Sequence, residues 1–329
     1  NNFSFGKYPV WANTAYQSIT NILGNPAAYP VEYAALIGEP GSASAAGALR
    51  VRNNQREYYA AGLQSVLGLR FMTGGLDHEL ELSARWHRDE EDRFQHDDRY
   101  QMLDGVMVLT AAGVPGTQDN RVGEAEAWAF YVRDTIRAGG WTLTPGLRYE
   151  TIALTQRNWG TADPTRSSSP APARSTVEAF MPGLGVTRAI GESLQLVAGL
   201  HRGFVSPAPG STVDPELSWN YELGLRHDGT SADFEAMAFL VDYENLIGSC
   251  TASTGGGCTI GDQYDAGKVR VHGLEFTAQY DAGLALGLPV SIPLSASYTW
   301  TEGEFRSSFA SDFSEWGNVT RGDALPYVP

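Results

Sequence analysis

Thirteen consecutive residues constrain this chain more than any other feature. In "LDHELELSARWHR", Leu76, His78, Leu80, Leu82, Ala84 and Trp86 alternate with Asp77, Glu79, Glu81, Ser83, Arg85 and His87. A period of two means a β-strand with one apolar face and one charged face. The pattern returns in "WTLTPGLRYET", where Trp141, Leu143, Pro145, Leu147 and Tyr149 alternate with Thr142, Thr144, Gly146, Arg148 and Glu150. Pro145 interrupts the ladder chemically, because it has no N–H to donate. Further strands are expected over 56–71, 123–137, 176–189, 193–204, 216–227, 232–246, 264–280 and 290–302. Strands of globular proteins average about five or six residues. Strands that cross a bilayer at a tilt need about nine to eleven.

The connections carry a second, independent signal. Short links at "TGG" (73–75), "AGG" (138–140), "IGES" (190–193) and "DGTS" (228–231), with a longer Gly-Pro link over 281–289, alternate with long polar segments. Those segments lie over 89–122, 155–175, 205–215, 247–263 and 303–323. Short turns on one side and long loops on the other are the asymmetry of an outer-membrane barrel. On that reading Thr73 and Gly139 face the periplasm. Glu79, Glu81, Ser83 and Arg85 then line the interior, because an Arg or Lys at the bilayer midplane costs about 2–4 kcal/mol. A soluble β-sandwich or solenoid would reverse the two faces, and a non-gated porin or structural barrel would keep them.

Composition sets the limits. Hydrophobic residues make up 42% and aromatic residues 11%, with 37 glycines, as suits strands joined by many turns. No run of 18 apolar residues is present, which excludes a spanning helix and leaves a spanning barrel open. The 23 basic and 38 acidic residues give a formal charge of −15, which argues against a nucleic-acid partner. The opening "NNFSFGKYPVW" lacks the pattern of a secretory leader, so the chain is expected to be mature or fragmentary. Cys250 and Cys258, in "CTASTGGGC", either close a disulfide across a small-residue loop or remain free thiols. No metal site is expected there.

About ten full strands are expected, with partial ones at each end, and "RGDALPYVP" stops where a further strand should begin. An open edge in lipid leaves backbone groups unpaired, so residues 1–329 read as part of a barrel domain truncated at both ends.

Several stretches resemble the TonB-dependent outer-membrane receptors, particularly those that take up ferric citrate. They are "LRVRNNQREYYAAGLQSVL" (49–67), "HRGFVSPAPG" (201–210), "ELSWNYELGLRH" (216–227), "KVRVHGLEF" (268–276) and "GDALPYVP" (322–329), in the family's order, with "PGLRYE" (145–150) between them. The resemblance implies an all-β transmembrane antiparallel barrel of about 22 strands, of which about 10–12 are present here, without the plug domain. It also implies a bacterial outer-membrane location, lipid and lipopolysaccharide around the wall, and the TonB energy-coupling protein as a partner through an N-terminal region not seen in this sequence. Iron enters as a chelated substrate such as ferric citrate or another siderophore, and no cofactor is implied.

An anionic chelate calls for fixed cations, and arginine's planar fork suits carboxylates. The candidates on the interior parity are Arg52, Arg56, Arg85 and His87 near outer strand ends, Arg148 lower in its strand, and His201. For each the competing role is a wall residue paired with an acid such as Glu81 or Glu150. The acidic run "RDEEDRFQHDDRY" (88–100) lacks the EF-hand spacing and reads as a solvated outer loop. Without a G-x-S-x-G elbow or a phosphate loop, no enzymatic activity is expected.

Overall fold

The computed structural model describes residues 9–12, 16–249, 263–310 and 317–326. The chain begins with β1 (Pro9–Ala12), β2 (Tyr16–Ser18), α1 (Ile19–Gly24), α2 (Pro30–Ile37) and β3 (Leu49–Asn53). Four long strands and one short one follow: β4 (Arg56–Thr73), β5 (Leu76–Leu103), β6 (Val106–Ala111), β7 (Asp119–Ala138) and β8 (Trp141–Asn158). Next come β9 (Ala173–Ile190), β10 (Leu194–Val205), β11 (Glu216–Asp228) and β12 (Ala232–Tyr243). The last elements are β13 (Ile247–Ser249), β14 (Gln263–Asp265), β15 (Val269–Asp281), α3 (Ala282–Ala285), β16 (Pro293–Phe305), β17 (Phe309–Ala310) and β18 (Asn318–Val319). The hydrogen-bonded order β16-β15-β12-β11-β10-β9-β8-β7-β5 follows the chain, with β4 and β6 also pairing β5. Every strand pair whose register is defined is antiparallel.

Two compact units share the chain: Asn1–Ala61 with Arg88–Glu126 and Ala153–Ser175, and Gly62–His87 with Ala127–Ile152 and Thr176–Pro329. The first holds a small apolar core of Ile22, Ala35, Leu49 and Met102, flanked by Tyr29, Tyr33 and Tyr100. Helix α2 enters this core with Pro30 in its first turn, where a missing N–H costs nothing, and ends on Gly38 at φ 75°, whose N–H returns to the Ala34 carbonyl.

The second unit shows why the alternation exists. Register places Leu223 opposite Ala238, Ala238 opposite Leu274 and Leu274 opposite Trp300, so the four form one row on one face. Leu223, Leu274 and Trp300 are 56%, 50% and 42% exposed. The opposite face carries Glu222, Phe239, Gly273 and Thr301 in the matching row. A soluble sandwich would bury the leucine row under a second sheet, and among the described residues nothing covers it. An outward apolar band is what contact with hydrocarbon requires.

Tight turns fit this design. Gly74 and Gly75 have φ of 56° and 87°, and Gly139 and Gly140 have 54° and 79°. Two successive positive φ values make the hairpin turn whose twist matches the strands, a conformation that a Cβ disfavours. Pro145 lies within β8, and the strand continues on both sides of it.

One expectation is corrected. Residues 89–122 are not one long loop: β5 runs 28 residues to Leu103, turns at Asp104–Gly105 and pairs with β6. The acidic run lacks apolar alternation because this stretch of strand is held by cross-strand ion pairs rather than by a buried face. The link after β15 also contains the one-turn helix α3, started by the Asp281 side chain. Cys250 and Cys258 lie outside the described residues.

Candidate functional site

In the first unit the charged stretch of β5 binds its neighbours through a connected set of ions. Arg52 Nε donates to Asp97 Oδ1 at 2.9 Å, and its Nη2 to Oδ2 at 3.3 Å, a two-pronged pair. Arg56 Nη1 lies 3.1 Å from Glu91 Oε1, and the Tyr58 hydroxyl donates to the same oxygen at 3.0 Å. Arg93 Nε donates to the other Glu91 oxygen at 2.8 Å and its Nη1 lies 3.7 Å from Asp119, which Arg121 also approaches at 3.4 Å. Burial pushes the Glu91 carboxyl up, but the Arg93 hydrogen bond and the charges of Arg93 and Arg56 outweigh it, and the group stays below the ordinary range. Arg52 and Arg56 are thus both committed to acids of β5.

A loop clasp in the same unit was not foreseen. Arg166, at the positive φ of 53°, donates from Nη1 to Asp92 Oδ2 at 2.8 Å and from Nε to Asn120 Oδ1 at 2.8 Å. Its guanidinium sits 4.7 Å from the Phe94 ring centroid and 4.6 Å from that of Trp159. Asn120, 1% exposed, donates to the Asp163 carbonyl at 2.8 Å and the Gly160 carbonyl at 3.2 Å. Asp163 in turn accepts from the hydroxyls and backbone N–H groups of Ser168 and Ser167, which hold its carboxyl well below the ordinary range. Arg166 is 74 residues from Asp92 in the chain, so no local pattern announces the contact.

In the second unit the interior parity is a ladder of ion pairs. Glu79 accepts from Arg70 at 2.9 Å and from Arg137 at 3.2 Å, while Glu81 pairs with Arg133. Arg148 pairs with Glu150, the acid anticipated for it. Arg85 is exposed, and among the described residues it makes no ion pair. His201 is exposed as well; Asn220 Nδ2 donates to its backbone carbonyl at 3.4 Å, and among the described residues its imidazole makes no ion pair. His87 is half-buried. Arg85, Arg148 and His201 stand on β5, β8 and β10, which β7 and β9 separate, so they are not gathered into one cluster. A recess of about 450 Å³ near the short turns, lined by Gly75, Arg137, Trp141, Thr142, Thr187 and Gln195, contains none of the predicted ligand residues. Among the described residues no group of three or more His, Cys, Asp or Glu side chains is placed to hold a metal ion.

These antiparallel strands, outward apolar rows and inward charge ladders are matched by the family model "TonB dependent receptor-like, beta-barrel" over residues 1–329. The chain belongs to that family. Its members are outer-membrane proteins of bacteria and transporters rather than enzymes. Similar solved structures include a ferric citrate transporter, FecA, in its unliganded form, with 25% identity, TM-score 0.63, 85% of this chain and 39% of that chain covered. The siderophore receptor PiuA from Acinetobacter baumannii is 15% identical, TM-score 0.59, over 85% of this chain and 44% of its own. The ferric yersiniabactin uptake receptor FyuA from Yersinia pestis is 15% identical, TM-score 0.54, over 85% of this chain and 39% of its own. The chain therefore spans about two fifths of the length of these receptors.

Proposed function

We propose that this chain forms part of the wall of a receptor that takes up an iron chelate across the outer membrane, with ferric citrate as the first candidate. The observation that carries the reading is the likeness to a ferric citrate transporter at 25% identity and TM-score 0.63. The residues supply a suitable chemistry. Arg85 and His201 leave donors on the interior parity uncommitted to any acid among the described residues, and Arg148, shared with Glu150, lies on the same parity. A multiply charged carboxylate chelate is bound best by such fixed cations, because they need no reorganisation to meet it. Arg52 and Arg56, in the first unit, are held by Asp97 and Glu91 and would meet a carboxylate ligand only by exchanging those partners. The net charge of −15 does not attract an anion at long range, so capture depends on local fields within the interior.

The partners follow from this role. The complete receptor would engage TonB for energy, and the outward rows of the wall would meet outer-membrane lipid and lipopolysaccharide. Radiolabelled iron uptake by cells carrying the complete receptor tests the reading. Ferric citrate uptake that depends on both the receptor and TonB is expected. Uptake of a different siderophore alone would move the substrate assignment, and steady ungated conductance in a planar bilayer with no chelate binding would replace it with a pore.

A further inference from the structure

Among the described residues, Arg188 on the outward face has no counter-charge. Register places Arg188 opposite Leu196, Leu196 opposite Leu225, Leu225 opposite Ala236, Ala236 opposite Phe276 and Phe276 opposite Tyr298. Arg188 is therefore the first member of an apolar row, with Leu196 37%, Leu225 40% and Phe276 38% exposed. Its guanidinium lies 5.1 Å from the Trp141 ring centroid and donates to the Gly139 carbonyl. Gly140 permits this approach, since a Cβ there would sit 3.0 Å from Arg188 Nη1. Among the described residues no carboxylate lies within ion-pair distance of Arg188, whereas on the interior parity Arg70, Arg133, Arg137, Arg148 and Arg226 are paired and Arg85 is not.

A guanidinium among lipid-facing side chains is stable only near the headgroups, and it seeks an anion there. Trp141 and Ile190, 46% and 50% exposed, flank it with the amphipathic and apolar surface that glycerol and acyl chains contact. We propose that Arg188 and Trp141 form a binding site for the phosphodiester of a glycerophospholipid in the periplasmic leaflet. The guanidinium's remaining donors hold the phosphate, and the indole holds the glycerol region. The proposal rests on the outer-membrane placement of the family and is independent of the chelate.

Native mass spectrometry of the complete receptor in detergent tests it, with phosphatidylglycerol as the probe, diacylglycerol as the phosphate-free control and inorganic phosphate as competitor. Wild type is expected to retain phosphatidylglycerol and to release it about tenfold more readily in Arg188→Gln, with Arg188→Lys intermediate and Arg226→Gln unchanged. If Arg188→Gln does not fold, Arg188→Lys and Trp141→Leu carry the test, each expected to weaken retention about threefold. Equal retention in wild type and the variants, diacylglycerol retained as well as phosphatidylglycerol, or full displacement of the lipid by inorganic phosphate would each overturn the proposal.

Discussion

Arg166 grips Asp92 with both arms of its guanidinium, Nη1 to Oδ2 at 2.8 Å and Nη2 to Oδ1 at 2.5 Å, across 74 residues of chain. The same side chain is sandwiched against Phe94 and Trp159 and bound to Asn120. Burial alone would lower its affinity for a proton, but the hydrogen bond to Asp92 comes first and keeps it raised. The loop over 159–168 is thereby fixed by one residue that reaches four side chains, those of Asp92, Phe94, Asn120 and Trp159.

Arg166→Gln should free that loop without unfolding the strands. A hydrogen bond to a charged group contributes about 2 kcal/mol, and that much local opening free energy should be lost. The readout is hydrogen exchange at the amides of Ser167 and Ser168, which donate to Asp163 at 3.0 and 2.8 Å. Unchanged protection there would show that Asp163 holds the turn alone.

Ligand binding should separate the unpaired cations from the paired ones. Arg85→Gln in the complete receptor removes a donor that has no acid partner among the described residues, so ferric citrate affinity should fall about tenfold. Arg52→Gln removes a donor already occupied by Asp97, and affinity should change by less than about threefold. Titration calorimetry with both variants decides this, and a larger loss in Arg52→Gln would assign the chelate to the β3–β5 ion pair.

The strands and their faces were legible because alternation is a local property. Leu80 and Leu82 against Glu79 and Glu81 announce two environments, and the turn glycines at 74–75 and 139–140 mark where the chain reverses. The 28-residue length of β5 was hidden because Arg88–Arg99 carries charge on both parities, so the period of two disappears once neither face meets an apolar surface. The Asp104–Gly105 hairpin, flanked by Met102, Leu103, Val106 and Met107, carried a usable turn signal that the surrounding polar residues masked. Arg148 with Glu150 was readable at a spacing of two on one face. Partners such as Asp92 for Arg166 depend on tertiary register and leave no mark in a single sequence.

His78 should be a structural rather than a ligand-binding residue. Its Nδ1 lies 2.7 Å from Asp134 Oδ2, its Nε2 lies 2.7 Å from Thr73 Oγ1, and its ring stacks on Phe71 at 4.8 Å. His78 shares the parity of Leu80 and Leu82, so the pair sits on the lipid-facing side, and Asp134 Oδ1 is buried with no hydrogen-bond partner among the described residues. His78→Ala strands the whole carboxylate there and should destabilise the receptor by about 2 kcal/mol. The double variant His78→Phe with Asp134→Leu should recover most of that loss, since two apolar groups suit lipid better than one orphaned acid. Urea unfolding of the receptor in vesicles measures both. Additive losses in the double variant would mean the two residues act separately.

Asp281 makes the connection between β15 and β16 sensitive to acid. Its carboxylate accepts from the Ser291 hydroxyl and from the backbone N–H groups of Leu284 and Ile292, both at 3.0 Å. The Ser291 bond comes first among the causes, and together they hold the carboxyl down at about 2. Because the folded value lies below the unfolded one of about 3.9, this contribution is fully present above pH 4 or so and is lost as pH falls through about 2. Amide protection factors over 282–292 should therefore hold from neutral pH to about 4 and fall progressively between about 4 and about 2. In Asp281→Asn, which accepts fewer and weaker bonds, protection should already be low at neutral pH and nearly independent of acid. Protection that survives below pH 2 in the wild type would show that α3 is held by its own backbone bonds, such as Leu286 N–H to Ala282 at 3.1 Å, and not by the carboxylate.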